Sequence, residues 1–140
     1  MITGDDRLAP LVVIVDDEVD IATYLRLALE EHGFRVATFS DAESAKVALE
    51  DMEPDAVCLD LLMPKHSGLS LYKAIVEDPR LCRCPVIIIS GLAMREDLPG
   101  LLQRAGDLPM PKAFIDKPIM IDDFVSTINS LVRADAGVGP

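Results

Sequence analysis

Carboxylate, hydroxyl and ammonium side chains stand directly after four short apolar segments of this sequence. They are Asp16 and Asp17 after LVVIV, Asp60 after AVCL, Ser90 after PVIII, and Lys117 after AFID. Carboxylates that lie close together repel one another, so such a group takes up protons or binds a cation. Mg²⁺ prefers oxygen ligands and accepts one or two carboxylates together with phosphate oxygens. If the four segments converge, the sequence predicts a magnesium site.

The acidic residues can be assigned different tasks within this predicted site. We predict that Asp17 and Asp60 are direct Mg²⁺ ligands and that Asp16 acts through water. The backbone carbonyl of Leu62 is a further predicted ligand. A carboxylate can also be a nucleophile towards phosphorus. Asp60 is the best candidate, because it is central and a Met-Pro pair and a glycine then turn the chain away.

Lys117 and Ser90 supply the remaining groups that phosphoryl transfer needs. The transferred group must be positioned, and the charge on its equatorial oxygens must be neutralised. Lys117 provides a positive charge and Ser90 a hydroxyl donor for those oxygens. Taken singly, each feature has an ordinary structural explanation, such as a turn after a strand. Four such features at successive strand ends favour a functional site.

Five short apolar segments are predicted to be the strands that position these residues. Apolar and polar residues mostly do not alternate in these segments, which are rich in β-branched residues. Both features are typical of strands that are covered on both faces. Helical patterns lie between them, so the chain predicts right-handed βαβ units, a parallel sheet and helices on both faces. Ligands of such sheets bind beyond the carboxyl ends of the strands. The predicted strands are Leu11–Val15, Arg35–Phe39, Ala56–Leu59, Val86–Ile89 and Ala113–Ile115.

Two of the intervening helices carry local signals at their ends. Ser40 and Glu43 have the spacing of a capping box and predict a helix that begins after Ser40. Pro99 interrupts the segment before the last strand. Because proline is tolerated in the first turn of a helix, we predict a short helix that begins near Asp97 or Leu98.

Composition and charge limit the function classes. Half of the residues are apolar and the net charge is −11. Such a charge repels nucleic-acid phosphates and anionic lipids, so we expect no direct nucleic acid or membrane partner. No apolar run approaches the roughly 18 residues that a membrane span needs, and we expect a soluble, cytoplasmic domain. Cys58 is predicted to lie in the core, and Cys82 and Cys84 to be reduced thiols.

The chain is long enough for one domain. We predict that residues 1–9 form a flexible N-terminal extension, residues 10–133 the folded domain, and residues 134–140 a flexible C-terminal tail. Residues 107–112, DLPMPK, precede the last predicted strand.

Four motifs carry a resemblance to a known family. VVIVDDE, CLDLLMPKHSG, PVIIISG and FIDKP, in this order and spacing, resemble the receiver domains of bacterial two-component response regulators. The resemblance covers about residues 10–133. It implies a flavodoxin-like α/β fold with strand order 2-1-3-4-5. It also implies a phosphoryl donor that is a phosphohistidine on a sensor histidine kinase or a histidine phosphotransfer protein.

The resemblance also assigns roles to residues by position. Asp60 resembles the phosphoacceptor, Asp16 and Asp17 the acidic pair that organises Mg²⁺, and Lys117 the lysine that pairs with the phosphoryl group. In such domains the bond between this lysine and the following proline is usually cis. Ser90 resembles the hydroxyl residue that hydrogen-bonds the phosphoryl group.

A switch is implied in the same way. Phe114, three residues before Lys117, resembles the aromatic residue whose ring turns inward when the hydroxyl of Ser90 moves to the phosphoryl group. The face built by the fourth helix, the fifth strand and the fifth helix would then rearrange for a downstream partner. Compared with such domains, residues 107–112 are an added stretch before the last strand. Lengthened loops are often functional, and a neutral insertion is an equal alternative. The added stretch puts the usual homodimer through that face in question.

The function expected from these observations is a signalling domain that catalyses only its own phosphorylation and dephosphorylation. Leu62 is apolar and cannot orient water, so autodephosphorylation is expected to be slow. A pseudo-receiver that binds partners without phosphorylation is the alternative. A phosphatase of the haloacid dehalogenase type would need a second aspartate two residues after Asp60, where Leu62 stands. The cognate kinase and the output partner stay open.

Overall fold

The computed structural model describes residues 9–135. The strands are β1 (Leu11–Val15), β2 (Arg35–Phe39), β3 (Ala56–Asp60), β4 (Val86–Ser90) and β5 (Ala113–Asp116). The helices are α1 (Val19–Glu31), α2 (Ala42–Leu49), α3 (Ser67–Glu77), α4 (Leu92–Arg104) and α5 (Ile121–Asp135), and a 3₁₀ turn spans Pro64–His66. The predicted N-terminal extension lies outside the described residues except for residue 9. Of the predicted tail, residues 136–140 lie outside it, while residues 134 and 135 end α5.

The strands form one parallel sheet in the order β2-β1-β3-β4-β5. This confirms the predicted fold class and strand order. The central strands β3 and β4 are buried along their whole length, and β1 is buried after its first residue. Burial on both faces explains why these strands are continuous apolar runs.

Helices cover both faces of the sheet. Alternate residues of the central strands face opposite sides, because side chains alternate along a strand. On one side they pack against α2, α3 and α4, and on the other against α1 and α5. Cys58 lies fully buried in the second of these cores, as predicted. Among the described helices, none combines the length and the apolar character that a membrane crossing requires.

The prediction of a short fourth helix was wrong. Helix α4 is continuous from Leu92 to Arg104 and contains Pro99 in its interior. Proline removes one backbone hydrogen bond from a helix. Here Leu98 and Leu102 are only 1% and 2% exposed, while Pro99 faces solvent. Burial of the leucine face on both sides of the proline therefore stabilises the helix despite the lost bond.

The capping residue of α2 also differs from the prediction. Asp41, not Ser40, is the N-cap, and its carboxylate accepts a hydrogen bond from the backbone N–H of Ser44 at 2.7 Å. The hydroxyl of Ser44 donates to the second carboxylate oxygen at 3.0 Å. The helix thus begins one residue later than the capping-box spacing indicated.

The added stretch at 107–112 packs against α3. Gly106 and Asp107 both have positive φ, at 124° and 56°, which turns the chain away from α4. Leu108 is then buried in the core. The hydroxyl of Tyr72 donates to the carbonyl oxygen of Pro109 at 2.6 Å. The stretch precedes β5 and therefore lies at the amino end of the strands.

Candidate functional site

Three aspartates meet at the carboxyl ends of β1 and β3. Carboxylate oxygens of Asp16, Asp17 and Asp60 lie within 4.8 Å of one another. Asp16 and Asp60 are almost completely buried, at 1% and 2% exposure, whereas Asp17 is exposed. The adjacent positions of β1 and β3 in the sheet explain this convergence, because parallel strands end at the same edge. The three oxygens form one acidic pocket that is open on the side of Asp17.

Lys117 reaches this acidic pocket from the end of β5. Its Nζ donates to Asp60 Oδ2 at 3.1 Å and to Glu18 Oε1 at 2.6 Å, and it lies 3.6 Å from Asp16 Oδ2. Glu18 is the contact that was not predicted. The acidic run directly after β1 is the signal that could have indicated it.

Burial and neighbouring charges shift the pKa values of the pocket. Burial raises the pKa of Asp16 to about 6. The hydrogen bond from the N–H of Glu18 lowers this pKa, and the nearby carboxylate of Asp60 raises it further. For Lys117, burial lowers the pKa, but hydrogen bonds to Glu18 and Asp60 and the charges of Asp60 and Asp16 outweigh that effect and raise it. The pocket therefore holds a firmly protonated ammonium group beside the buried carboxylate of Asp16, which is costly to ionise.

Backbone groups orient the two buried carboxylates. Asp16 Oδ1 accepts from the N–H of Glu18 at 2.9 Å, and Asp60 Oδ1 accepts from the N–H of Leu62 at 2.8 Å. Each aspartate thus uses one oxygen to bind the backbone two residues later. The second oxygen of each carboxylate faces Lys117.

Gly68, at the start of α3, lets the chain return close to β3. A Cβ at this position would lie 2.5 Å from the backbone oxygen of Asp60 and 2.9 Å from the Cα of Leu61. Both distances are far shorter than van der Waals contact. Glycine is therefore required for α3 to pack against the end of β3 beside the pocket.

Ser90 ends β4 beside the pocket. Its side chain is completely buried. Within residues 9–135, neither Ser90 Oγ nor Asp16 Oδ2 has a hydrogen-bond partner. Buried polar atoms are normally paired, so these two atoms call for an explanation. A ligand with oxygen atoms and a cation would supply the partners that the protein does not.

Phe114 lies on β5, away from the carboxylates. Its ring is partly buried against the core, and Phe114 is opposite Ile88 in the β4–β5 register. The register also places Asp116 opposite Ser90, and the N–H of Lys117 donates to the carbonyl of Ser90 at 3.0 Å. The bond between Lys117 and Pro118 is cis, as predicted.

The structure brings together five of the predicted side chains at one edge of the sheet, namely Asp16, Asp17, Asp60, Ser90 and Lys117. Phe114 lies on β5, opposite Ile88 of β4, and is not part of the acidic pocket. Leu62 lies two residues after Asp60 and is 54% exposed. The role of its carbonyl as a metal ligand stays a prediction.

Comparison with known proteins identifies the family. The family model for the response regulator receiver domain matches residues 12–129. The chain belongs to the response regulator receiver family. This receiver domain has the five-stranded architecture of its solved relatives. Receiver domains of this family bind Mg²⁺ at an acidic pocket, and this structure has a cluster of three aspartates.

Several curated relatives are regulators of transcription by name. The receiver is 33% identical over 123 residues to "Probable transcriptional regulatory protein TcrX" of Mycobacterium tuberculosis. The matched region covers 87% of this chain and 49% of the relative. It is 27% identical to the phosphate regulon transcriptional regulatory protein PhoB of Rhizobium meliloti, over 90% of this chain and 53% of the relative. The chain spans about half the length of the curated relatives it matches.

Solved receiver domains share the fold over nearly the whole chain. The signal receiver domain of a signal transduction histidine kinase from Syntrophus aciditrophicus superposes with a TM-score of 0.78 at 27% identity, covering 90% of this chain and 92% of that one. The receiver domain of NtrX from Brucella abortus gives a TM-score of 0.74 at 29% identity, over 87% and 98% of the two chains. Similar receivers therefore occur both in regulators and in a histidine kinase.

Proposed function

We propose that this receiver accepts a phosphoryl group from a phosphohistidine onto Asp60 and thereby switches a partner-binding face. The main support is the position of Lys117 Nζ, 3.1 Å from Asp60 Oδ2, in a pocket shared with two further aspartates. A positive charge at this distance can neutralise phosphoryl oxygens where they develop charge. No catalytic base is needed, because a carboxylate is already a nucleophile.

The proposed transfer is a displacement at phosphorus. An oxygen of Asp60 forms a bond to phosphorus as the P–N bond to the donor imidazole breaks, and the electron pair leaves with the imidazole nitrogen. The product is an acyl phosphate on Asp60. Lys117 neutralises one phosphoryl oxygen, and the buried hydroxyl of Ser90 is available to donate to another.

The residues present fit a bound Mg²⁺. Asp16, Asp17 and Asp60 offer hard oxygen ligands within 4.8 Å of one another, and Asp16 Oδ2 is a buried acceptor without a hydrogen-bond partner among the described residues. The Leu62 carbonyl is a further proposed ligand. When bound, Mg²⁺ supplies positive charge to the phosphoryl oxygens that Lys117 does not reach.

The proposed output is a change of shape at β5 and its neighbouring helices. Ser90 moves towards the phosphoryl group, and the ring of Phe114 turns into the space that the serine leaves. This is a shift between two pre-existing states, driven by the roughly −2 charge of the phosphoryl group. Slow autodephosphorylation is expected, since Leu62 is apolar and Gly91 has no side chain to orient water.

The proposed partners follow from the family and from the charge of the domain. The donor is a sensor histidine kinase or a histidine phosphotransfer protein in the cytoplasm. The output is a downstream partner or an output domain, because the curated relatives are about twice as long as the matched region. The net charge of −11 argues against direct contact with nucleic acid or membrane by this domain.

Phosphoramidate with Mg²⁺ tests the proposal, because its P–N bond resembles that of phosphohistidine. We expect intact-protein mass spectrometry to show the gain of one phosphoryl group, lost in Asp60→Asn and retained in the control Asp51→Asn on an exposed turn. No gain in the wild-type protein would favour the alternative, a pseudo-receiver that only binds partners. Continuous turnover of phosphate esters would instead indicate a phosphatase.

A further inference from the structure

Arg95, in the first turn of α4, reaches across to two residues of β5. Its guanidinium carbon lies 4.6 Å from the centroid of the Phe114 ring. Its Nη2 donates to the backbone carbonyl of Phe114 at 3.2 Å and lies 3.6 Å from Asp116 Oδ2. A single side chain thus contacts the ring, the backbone and the carboxylate of neighbouring positions on one strand.

The chemistry of these contacts is specific to a guanidinium group. A planar cation can stack on an aromatic face and donate hydrogen bonds from its edge at the same time, which an ammonium group does less well. Asp116 also has an oxygen, Oδ1, that is buried without a hydrogen-bond partner in the described part of the chain. The carboxylate therefore depends on Arg95 Nη2 for the ion pair that the structure shows.

Arg95 connects two segments that end at the acidic pocket. Helix α4 begins two residues after Ser90, and Asp116 immediately precedes Lys117. The backbones of Ser90 and Lys117 are hydrogen-bonded to each other at 3.0 Å. A movement of either pocket residue must therefore be transmitted to the segments that Arg95 joins.

We propose that Arg95 is a positioning residue that holds the Phe114 ring at the surface between α4 and β5 in the unphosphorylated protein. This inference rests on the proposed function. For the ring to turn inward, its stacking on the guanidinium must be lost. Arg95 thus stabilises the resting state, and its removal increases the fraction of molecules in the phosphorylation-competent state.

The expected effect is an increase in the rate of phosphorylation. Arg95→Ala should accelerate phosphorylation by phosphoramidate and Mg²⁺ up to about fivefold, the size expected for the loss of one exposed cation–π contact. Arg95→Lys keeps the charge but not the planar group, and should accelerate it about twofold. The control Arg26→Ala removes a half-exposed arginine that pairs with Glu30 on α1 at 3.1 Å, and it should leave the rate unchanged.

A double-mutant cycle separates a role through the ring from a general effect of charge. If Arg95 acts by holding the Phe114 ring, Arg95→Ala should have no effect on the rate in a Phe114→Leu background. Loss of a positive charge that merely attracted the anionic donor would change the rate equally in both backgrounds. Loss of the Arg95→Ala rate effect in the Phe114→Leu background is therefore a result that an ordinary structural or electrostatic role does not produce.

The outcomes are distinct. A faster Arg95→Ala variant, with the effect abolished in the Phe114→Leu background, supports the proposal. An unchanged or slower variant, or equal acceleration in both backgrounds, overturns the role of Arg95 while leaving the proposed function intact. If the wild-type protein gains no phosphoryl group at all, the proposed function fails and this inference fails with it.

Discussion

Replacing Asp16 with asparagine should stabilise the metal-free protein near neutral pH. Asp16 is 1% exposed and lies beside the carboxylate of Asp60, so its ionised form is costly in the folded state. Asparagine removes the charge and keeps an oxygen that can accept the hydrogen bond from the N–H of Glu18. The substitution thus removes the electrostatic cost and retains the main contact.

The size of the effect follows from the pKa. Burial raises the pKa of Asp16 from 3.8 to about 6, which corresponds to about 3 kcal/mol at about 1.36 kcal/mol for each tenfold change in proton affinity. This value already includes the attraction of Lys117, which lowers the pKa of Asp16, so we expect a net gain of up to about 3 kcal/mol in the free energy of unfolding.

The pH dependence has a definite sign. The pKa of Asp16 is higher in the folded state, so protonation favours folding. The cost of ionised Asp16 is absent well below pH 3.8, grows as the pH rises towards 6, and is complete above it. The advantage of the asparagine variant should therefore be full at about pH 7.5 and about half as large at about pH 5.

Urea denaturation without divalent ions, at both pH values, measures this difference. Asp17→Asn is the matched control, since it changes the net charge from −11 by the same amount but removes an exposed carboxylate. The reasoning is refuted if the Asp16 variant is less stable than the wild type at neutral pH. It is also refuted if Asp17→Asn is stabilised equally, because burial would then not be the cause.

Further predictions concern packing, the added stretch and the metal. Gly68→Ala should lower the free energy of unfolding by about 1–3 kcal/mol, because the new Cβ would lie 2.5 Å from the backbone oxygen of Asp60. Gly91→Ala is the control, since a Cβ at that position meets no atom within 4 Å. Tyr72→Phe loses the 2.6 Å hydrogen bond to Pro109 and should cost about 1 kcal/mol in urea denaturation, with the phosphorylation rate unchanged. Mg²⁺ at about ten times its Kd should raise the free energy of unfolding by about 1.4 kcal/mol; an unchanged urea midpoint would contradict a specific site.

The sequence allowed prediction of the parts of the molecule that depend on local pattern and on sheet topology. Short segments rich in apolar and β-branched residues marked all five strands, with the observed ends differing by at most one residue. Because parallel strands end at one edge, the polar residues after four of these segments could be assigned to a common site from the sequence. Asp60 and Lys117 are 57 residues apart, and the parallel strands predict that both lie at the same edge, where the structure places Lys117 Nζ 3.1 Å from Asp60 Oδ2.

The parts that local pattern could not predict depend on tertiary packing. Proline suggested a break in α4, but the burial of Leu98 and Leu102 keeps the helix continuous. The contacts of Glu18 with Lys117 and of Arg95 with Phe114 join residues from different elements. Such side chains are exposed or half-exposed, so hydrophobic periodicity contains no information about where they point.

The added stretch at 107–112 has a consequence for how this domain can diversify. It enters β5 at the amino end, and four residues of parallel strand, about 13 Å, separate it from the edge that holds the acidic pocket. Insertions and deletions at this end can accumulate in evolution without disturbing the chemistry at the other. For the same reason, a fluorescent reporter or a peptide tag should be tolerated near Met110, which is 59% exposed.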